Sequence, residues 1–177
     1  MTKLHDGEAP KVRSVEELLA HANALEVEAE ERYSALADQM EAHNNAEVAK
    51  LFRKMAEIEG KHIQRVGELS KGFEVPHIAP WDLQWEGEAP EAIDSSDVHY
   101  LMKPYHALQL ALRHEKRAAD FFAELVDTVE NEEVRSMAKQ LAEEEYEHVR
   151  LIEAWLNKVP KPDDNWSEDP DPPNTQE

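Results

Sequence analysis

The 177-residue sequence contains no cysteine, and this absence narrows the chemistry that the chain can perform. Without thiols it cannot form a disulfide, a thiolate nucleophile, an iron–sulfur cluster or a cysteine-ligated iron site. Any bound metal would therefore be held by carboxylate oxygen and imidazole nitrogen.

Long apolar runs and a basic surface are missing as well. No run of about 18 or more apolar residues occurs, so we expect no contact with a membrane. Residues 1–10 lack the apolar segment of a secretory signal, so we expect a soluble, cytoplasmic protein. The formal net charge of −20 argues against nucleic-acid binding. The same charge fits either simple solubility or attraction of cations such as ferrous iron.

Strand signals are nearly absent, whereas helical periodicity runs through most of the chain. We predict an all-α protein with helices over residues 14–43, 44–71, 104–130 and 131–157. The boundaries follow from a capping box at Ser14, from Asn44 and Asn45 as caps of the second helix, from Asn131 as the cap of the fourth, from Gly72 as a stop, and from Pro104 in a first turn.

The connections between the helices predict the topology. Two tight turns give two antiparallel hairpins, joined by a crossover long enough to traverse the bundle. We therefore divide the chain into an N-terminal arm (1–13), a four-helix domain (14–158, with the crossover at 72–102) and an irregular tail (159–177). We expect Trp81, Leu83 and Trp85 to dock on the bundle or on a second subunit, and Trp166 to hold the tail.

Acidic residues and histidines interrupt the inward-facing apolar stripe of each predicted helix near its middle. In chain order these residues are Glu26, Glu59, His62, Glu115, Glu145 and His148. The Glu-x-x-His spacing in the second and fourth helices turns both side chains to one side. Counted from the two tight turns at about 1.5 Å per residue, all of them lie within about 6 Å of one height. The sequence therefore predicts that they converge.

Buried carboxylates at this density would repel one another and lose their hydration, so they require cations or protons. Two divalent metal ions would balance the four glutamates, and oxygen-rich ligation with two imidazoles favours iron or manganese over a closed zinc site. We predict two iron ions, with manganese or zinc as substitutes. A chance arrangement and a site that no longer holds metal are the alternatives.

Four segments resemble the rubrerythrin and ferritin-like family: 26–33 (EVEAEERY), 56–62 (AEIEGKH), 113–122 (RHEKRAADFF) and 142–148 (AEEEYEH). The resemblance implies a ferritin-like antiparallel bundle that binds two irons. It implies terminal ligation by Glu26 and Glu115, bridging by Glu59 and Glu145, and one iron for each of the two histidines. Rubrerythrins proper carry a further glutamate where this chain has Ala118, and they usually carry a rubredoxin iron on cysteines, so the built-in electron relay is missing.

The resemblance implies a di-iron oxidoreductase that reacts ferrous iron with peroxide or dioxygen in oxidative stress, using an external electron donor and forming a homodimer. A ferroxidase that stores or delivers iron and a non-enzymatic, metal-stabilised bundle are the alternatives. Tyr33 is predicted either to assist a ligand or to be a core tyrosine with a satisfied hydroxyl. We expect His21, His43 and His106 at the surface and His114 beside the ligands.

Overall fold

The computed structural model describes residues 12–78 and 98–170. Within these ranges the chain forms helices and no strand, which confirms the all-α prediction. In chain order the helices are α1 (Val15–Ala42), α2 (Ala46–Leu69), α3 (Pro104–Thr128) and α4 (Glu132–Leu156). Every predicted boundary lies within two residues of the observed one.

Side-chain caps explain where the helices begin. The Ser14 hydroxyl accepts a hydrogen bond from the Glu17 amide at 3.1 Å, which satisfies one of the free donors of the first turn of α1. Asn131 does the same for α4, where it accepts from the amides of Glu133 and Val134. After α2, Gly72 has a φ of 90°, a left-handed conformation that favours glycine.

Asn45 caps α2 and also ties the α1–α2 turn to the start of α3. Its side-chain oxygen accepts from the Val48 amide at 3.4 Å, while its amide nitrogen donates to the carbonyls of Tyr100 at 3.1 Å and Met102 at 2.8 Å. One side chain therefore joins the two hairpins at the same end of the bundle.

The helices pack as two antiparallel hairpins, α1 with α2 and α3 with α4, and the hairpins meet along α2–α3 and α1–α4. Apolar core lies on both sides of the bundle's middle. One cluster includes Phe52, Met55 and Leu108, and the other includes Leu18 and Phe122. The predicted acidic level lies between them. No helix in the described ranges has the length and apolar character that a membrane span needs.

The tail after α4 packs on the same end of the bundle. The ring of Trp166 lies 3.9 Å from that of His106 and 5.5 Å from that of His99. The Tyr100 hydroxyl donates a hydrogen bond to Asp169. His106 is therefore half-buried rather than exposed, whereas His43 is exposed as expected. Trp81, Leu83 and Trp85 lie outside the described residues.

The expectation that His21 lies at the surface is wrong, because only 5% of this residue is exposed. Its ring contacts Phe121 of α3 edge-on at 6.2 Å. Residues 18–22 are all buried, so the first turns of α1 are covered over more than the one stripe that periodicity identifies. The Nδ1 atom has no hydrogen-bond partner within the described residues.

Burial lowers the pKa of His21, although Glu17 partly opposes this effect. A histidine with a lowered folded pKa stabilises the fold above its unfolded pKa, and this stability is lost as the pH falls. We expect His21→Leu to raise the free energy of unfolding by about 1 kcal/mol at neutral pH and by more at pH 5, because the buried nitrogen is removed. Chemical denaturation at both pH values measures this, and His43→Leu at an exposed position is the control. An equal effect at both pH values would contradict it.

Candidate metal centre

The first hairpin brings Glu26 of α1 together with Glu59 and His62 of α2. His62 Nδ1 lies 3.3 Å from Glu26 Oε2 and 3.2 Å from Glu59 Oε2. The i, i+3 spacing places Glu59 and His62 on one side of α2, and the tight turn at Asn45 brings α1 alongside α2. One potential ligand atom from each residue lies within 4.8 Å of the others. We call these three residues the first cluster.

The second hairpin repeats the arrangement with Glu115 of α3 and the pair Glu145 and His148 of α4. His148 Nδ1 lies 3.4 Å from Glu145 Oε2 and 3.7 Å from Glu115 Oε2. Potential ligand atoms again lie within 4.8 Å of one another. We call these the second cluster. The structure therefore brings together all six residues that the sequence pattern selected, three to a hairpin.

The two clusters meet in the interior of the bundle. The rings of His62 and His148 stack with centroids 3.9 Å apart and an angle of 13° between their planes. The four glutamates are nearly inaccessible, with exposed fractions of 1 to 7%. The sequence pattern does not reveal the stacked pair, because the contact depends on how the hairpins pack. The Glu-x-x-His motif shared by α2 and α4 is the only indication of this contact in the sequence.

Burial raises the pKa of Glu26 well above its usual value, and the charges of Glu145 and Glu59 raise it further. When no cation is near, Glu26 therefore keeps a proton to a higher pH than a carboxyl group in water does. Burial also acts to raise the pKa of Glu59. Hydrogen bonds with His62 and Glu26 outweigh burial, and the pKa of Glu59 ends lower than usual.

In the two histidines, burial and hydrogen bonding each shift the pKa in the direction opposite to that in Glu59. Burial acts to lower the pKa of each, but hydrogen bonds to the neighbouring carboxylates overcome it. The pKa of His62 is raised by Glu59, and that of His148 is raised to about 9 by Glu115 and Glu145. Without metal, protons on Glu26, His62 and His148 therefore offset the buried negative charge. Bound cations would take over this role and release those protons.

The donor chemistry fits a pair of divalent metal ions. Each cluster offers two carboxylates and one imidazole, the donor types that iron, manganese and zinc accept. In addition, Glu59 Oε1 is buried and has no hydrogen-bond partner within the described residues. Because a buried carboxylate oxygen without a partner is destabilising, it is suited to a metal ion that would supply one.

Tyr33 lies beside the clusters and is 2% exposed. Its ring stacks on Phe52 at 6.2 Å and meets His114 edge-on at 6.0 Å. Its hydroxyl has no partner within the described residues, so the expectation of a core tyrosine with a satisfied hydroxyl is wrong. Burial and the charges of Glu115 and Glu59 raise its pKa, which keeps the hydroxyl protonated as a donor.

Helices that enclose two carboxylate–histidine clusters, each of which could hold a metal ion, are typical of a ferritin-like bundle. The sequence model of the rubrerythrin family matches residues 17–156, and the chain belongs to this family. The chain is also similar to the crystal structure of an uncharacterized conserved protein from Magnetospirillum magnetotacticum MS-1. The two are 39% identical, the match covers 85% of this chain and 99% of that one, and the TM-score is 0.65. No curated protein matches the chain.

Proposed function

We propose that this protein is a di-iron carboxylate oxidoreductase that reduces hydrogen peroxide or dioxygen. Glu26, Glu59 and His62 would hold one iron, and the second cluster would hold the other. The observation that carries this proposal is the contact between two equivalent clusters through the stacked histidines, since a site for a single ion needs only one cluster. Family membership supports the same chemistry.

A ferrous iron pair held here would supply electrons to an oxidant. The chain's own residues supply the surroundings. The glutamates would balance the cationic charge, and the apolar clusters on either side exclude water from the site. Tyr33 holds a proton on its hydroxyl oxygen near the carboxylates, and this hydroxyl can donate a hydrogen bond to the oxidant.

The further glutamate expected of rubrerythrins proper is replaced by Ala118, which is buried on α3. The chain also lacks cysteine, so it cannot hold a rubredoxin iron to relay electrons. We therefore propose that an external donor re-reduces the metal pair. We also propose that the protein acts as a homodimer.

Elemental analysis of protein purified without added metal tests the proposal directly. We expect two iron atoms per chain, one for each cluster. Protein loaded with ferrous iron should then accelerate consumption of peroxide or dioxygen, followed by stopped-flow absorbance and an oxygen electrode. Metal binding without acceleration of either reaction would instead support the metal-stabilised bundle. Sedimentation separates an iron-storing shell of many subunits from the expected dimer.

Tyr33→Phe provides a second test of the proposed function. We expect it to leave the metal content unchanged and to slow oxidant consumption by about 10- to 100-fold, a range typical of groups just outside a metal's ligands. Metal-free stability should not fall, because the lost hydroxyl makes no hydrogen bond to any described residue. Tyr105→Phe, on the half-exposed first turn of α3, is the control. An unchanged rate would show that the Tyr33 hydroxyl takes no part.

A further inference from the structure

A groove of about 590 Å³ opens on the outside of the bundle at the end where α2 and α3 begin and α4 ends. Its apolar lining comes from three helices and the residue stretch after α4: Leu51, Pro104, Leu108, Trp155 and Val159. None of the lining residues belongs to either metal cluster. Leu108 precedes Glu115 by two helical turns, which is about 10 Å along α3.

Lysines form the polar part of this groove. Lys50, Lys54 and Lys158 line it and are exposed to solvent. Among the residues that the structure describes, no carboxylate lies within ion-pair distance of these lysine nitrogens. Lys54 Nζ instead lies 4.4 Å from the centre of the Trp155 ring. Arg53 also lines the groove, but its charge is engaged by Asp38 and Glu41.

The net charge of the groove is opposite in sign to that of the whole chain. The chain has 39 acidic and 19 basic side chains, yet the groove carries more basic than acidic residues. Its acidic members are Glu47 and Glu57, which face three lysines and one arginine. The groove therefore combines apolar side chains with lysine ammonium groups that pair with no described carboxylate. This combination matches a ligand that has an apolar body and an anionic head.

We propose that this groove binds a long-chain carboxylate, with the alkyl chain on Leu51, Leu108 and Trp155 and the head group beside the lysines. The volume lies in the range of small-molecule sites, about 300–1,000 Å³. Binding gains about fourfold in affinity for each methylene buried on the apolar floor. An acidic protein partner is disfavoured, because its many charges would be repelled by a surface with a net charge of −20.

Calorimetric titration of the full chain with decanoate tests the proposal. We expect saturable binding, with octanoate roughly 16-fold weaker because two methylenes are missing. Decyltrimethylammonium, with the same chain and a cationic head, should bind at least about tenfold more weakly than decanoate. The double variant Lys54→Gln/Lys158→Gln should weaken decanoate binding about three- to tenfold and leave decanol unaffected. Lys139→Gln, exposed on α4 outside the groove, should change nothing.

Absence of decanoate binding would overturn the proposal, and so would equal affinity for the cationic amphiphile. The variant Trp81→Ala/Trp85→Ala distinguishes a competing occupant. If it binds decanoate tenfold more tightly than the parent chain, the crossover itself occupies the groove and the proposal fails. If Lys158→Glu dissociates a dimer in sedimentation, a second copy of the chain covers this face, and the proposal fails as well. None of these outcomes depends on the metal.

Discussion

Replacing Glu59 with glutamine should reduce metal affinity by more than about 100-fold. Removing a group outside the ligand shell already lowers affinity by about 10- to 100-fold, and Glu59 lies inside its cluster. Its carboxylate contacts His62, and its second oxygen is buried with no hydrogen-bond partner among the described residues. Glutamine would remove the negative charge that a metal ion would otherwise pair with. Titration with ferrous iron under anaerobic conditions, followed by elemental analysis after dialysis, measures the loss. Oxidant consumption should fall in parallel.

Glu143→Gln is the matched control for this substitution. It changes an exposed glutamate on α4, two residues before Glu145, and should leave metal content and oxidant consumption unchanged. Retention of both metal ions by Glu59→Gln, at parental affinity, would show that Glu59 is not a metal ligand. A loss of equal size in the control would instead indicate a general effect of surface charge.

Glutamine substitutions at Glu26 and at Glu59 should have opposite effects on the stability of the metal-free chain. Glu26 has a raised pKa, so at neutral pH the fold must either protonate it or bury its charge. Glu26→Gln removes this cost and should stabilise the fold. Glu59 has a lowered pKa because it pairs with His62, so Glu59→Gln leaves that histidine without its partner and should destabilise the fold. Sequence reasoning treats all four glutamates as repelling one another. The structure separates one that carries a proton from one that is ion-paired.

The residues of the two clusters were predictable because they follow from helix geometry alone. A Glu-x-x-His pair shares a helix side, and counting from Asn45 and Asn131 gives the depth of each residue below its turn. Both arguments are local to one hairpin. The contact between His62 and His148 is not local, since it depends on how two hairpins approach across the bundle.

Helical periodicity does not predict contacts that depend on more than one neighbouring helix. His21 departs from the inward stripe of α1, yet Phe121 of α3 covers it. Lys54 looks like an ordinary surface position, whereas Trp155 continues the inward stripe of α4, and only the approach of α2 to the end of α4 places one over the other. Periodicity identifies the face of a helix that must be buried. It does not identify a second, smaller contact on another face.

The stability of the metal-free chain should decrease as the pH rises from about 6.5 to 9. His148 has a folded pKa of about 9, against a usual value of 6.5. A histidine with a raised pKa stabilises the fold fully below its unfolded pKa, and this stability is lost as the pH rises through the folded value. The shift corresponds to about 2–3 kcal/mol after allowance for partial solvent screening. His62 and Glu26 shift in the same direction.

Metal should abolish this dependence, because cations replace the protons on these groups and bind more tightly once the protons have left. The difference in unfolding free energy between metal-loaded and metal-free chain should therefore widen from pH 6.5 to 9, by about 2–3 kcal/mol from His148 alone. Glu59 and His21 do not oppose it, since their lowered pKa values act below pH 6.5. Denaturation of chelator-treated and manganese-loaded protein measures the difference. His148→Gln should flatten the decline of the metal-free chain, and a difference that stays constant with pH would show that these protons do not compete with metal.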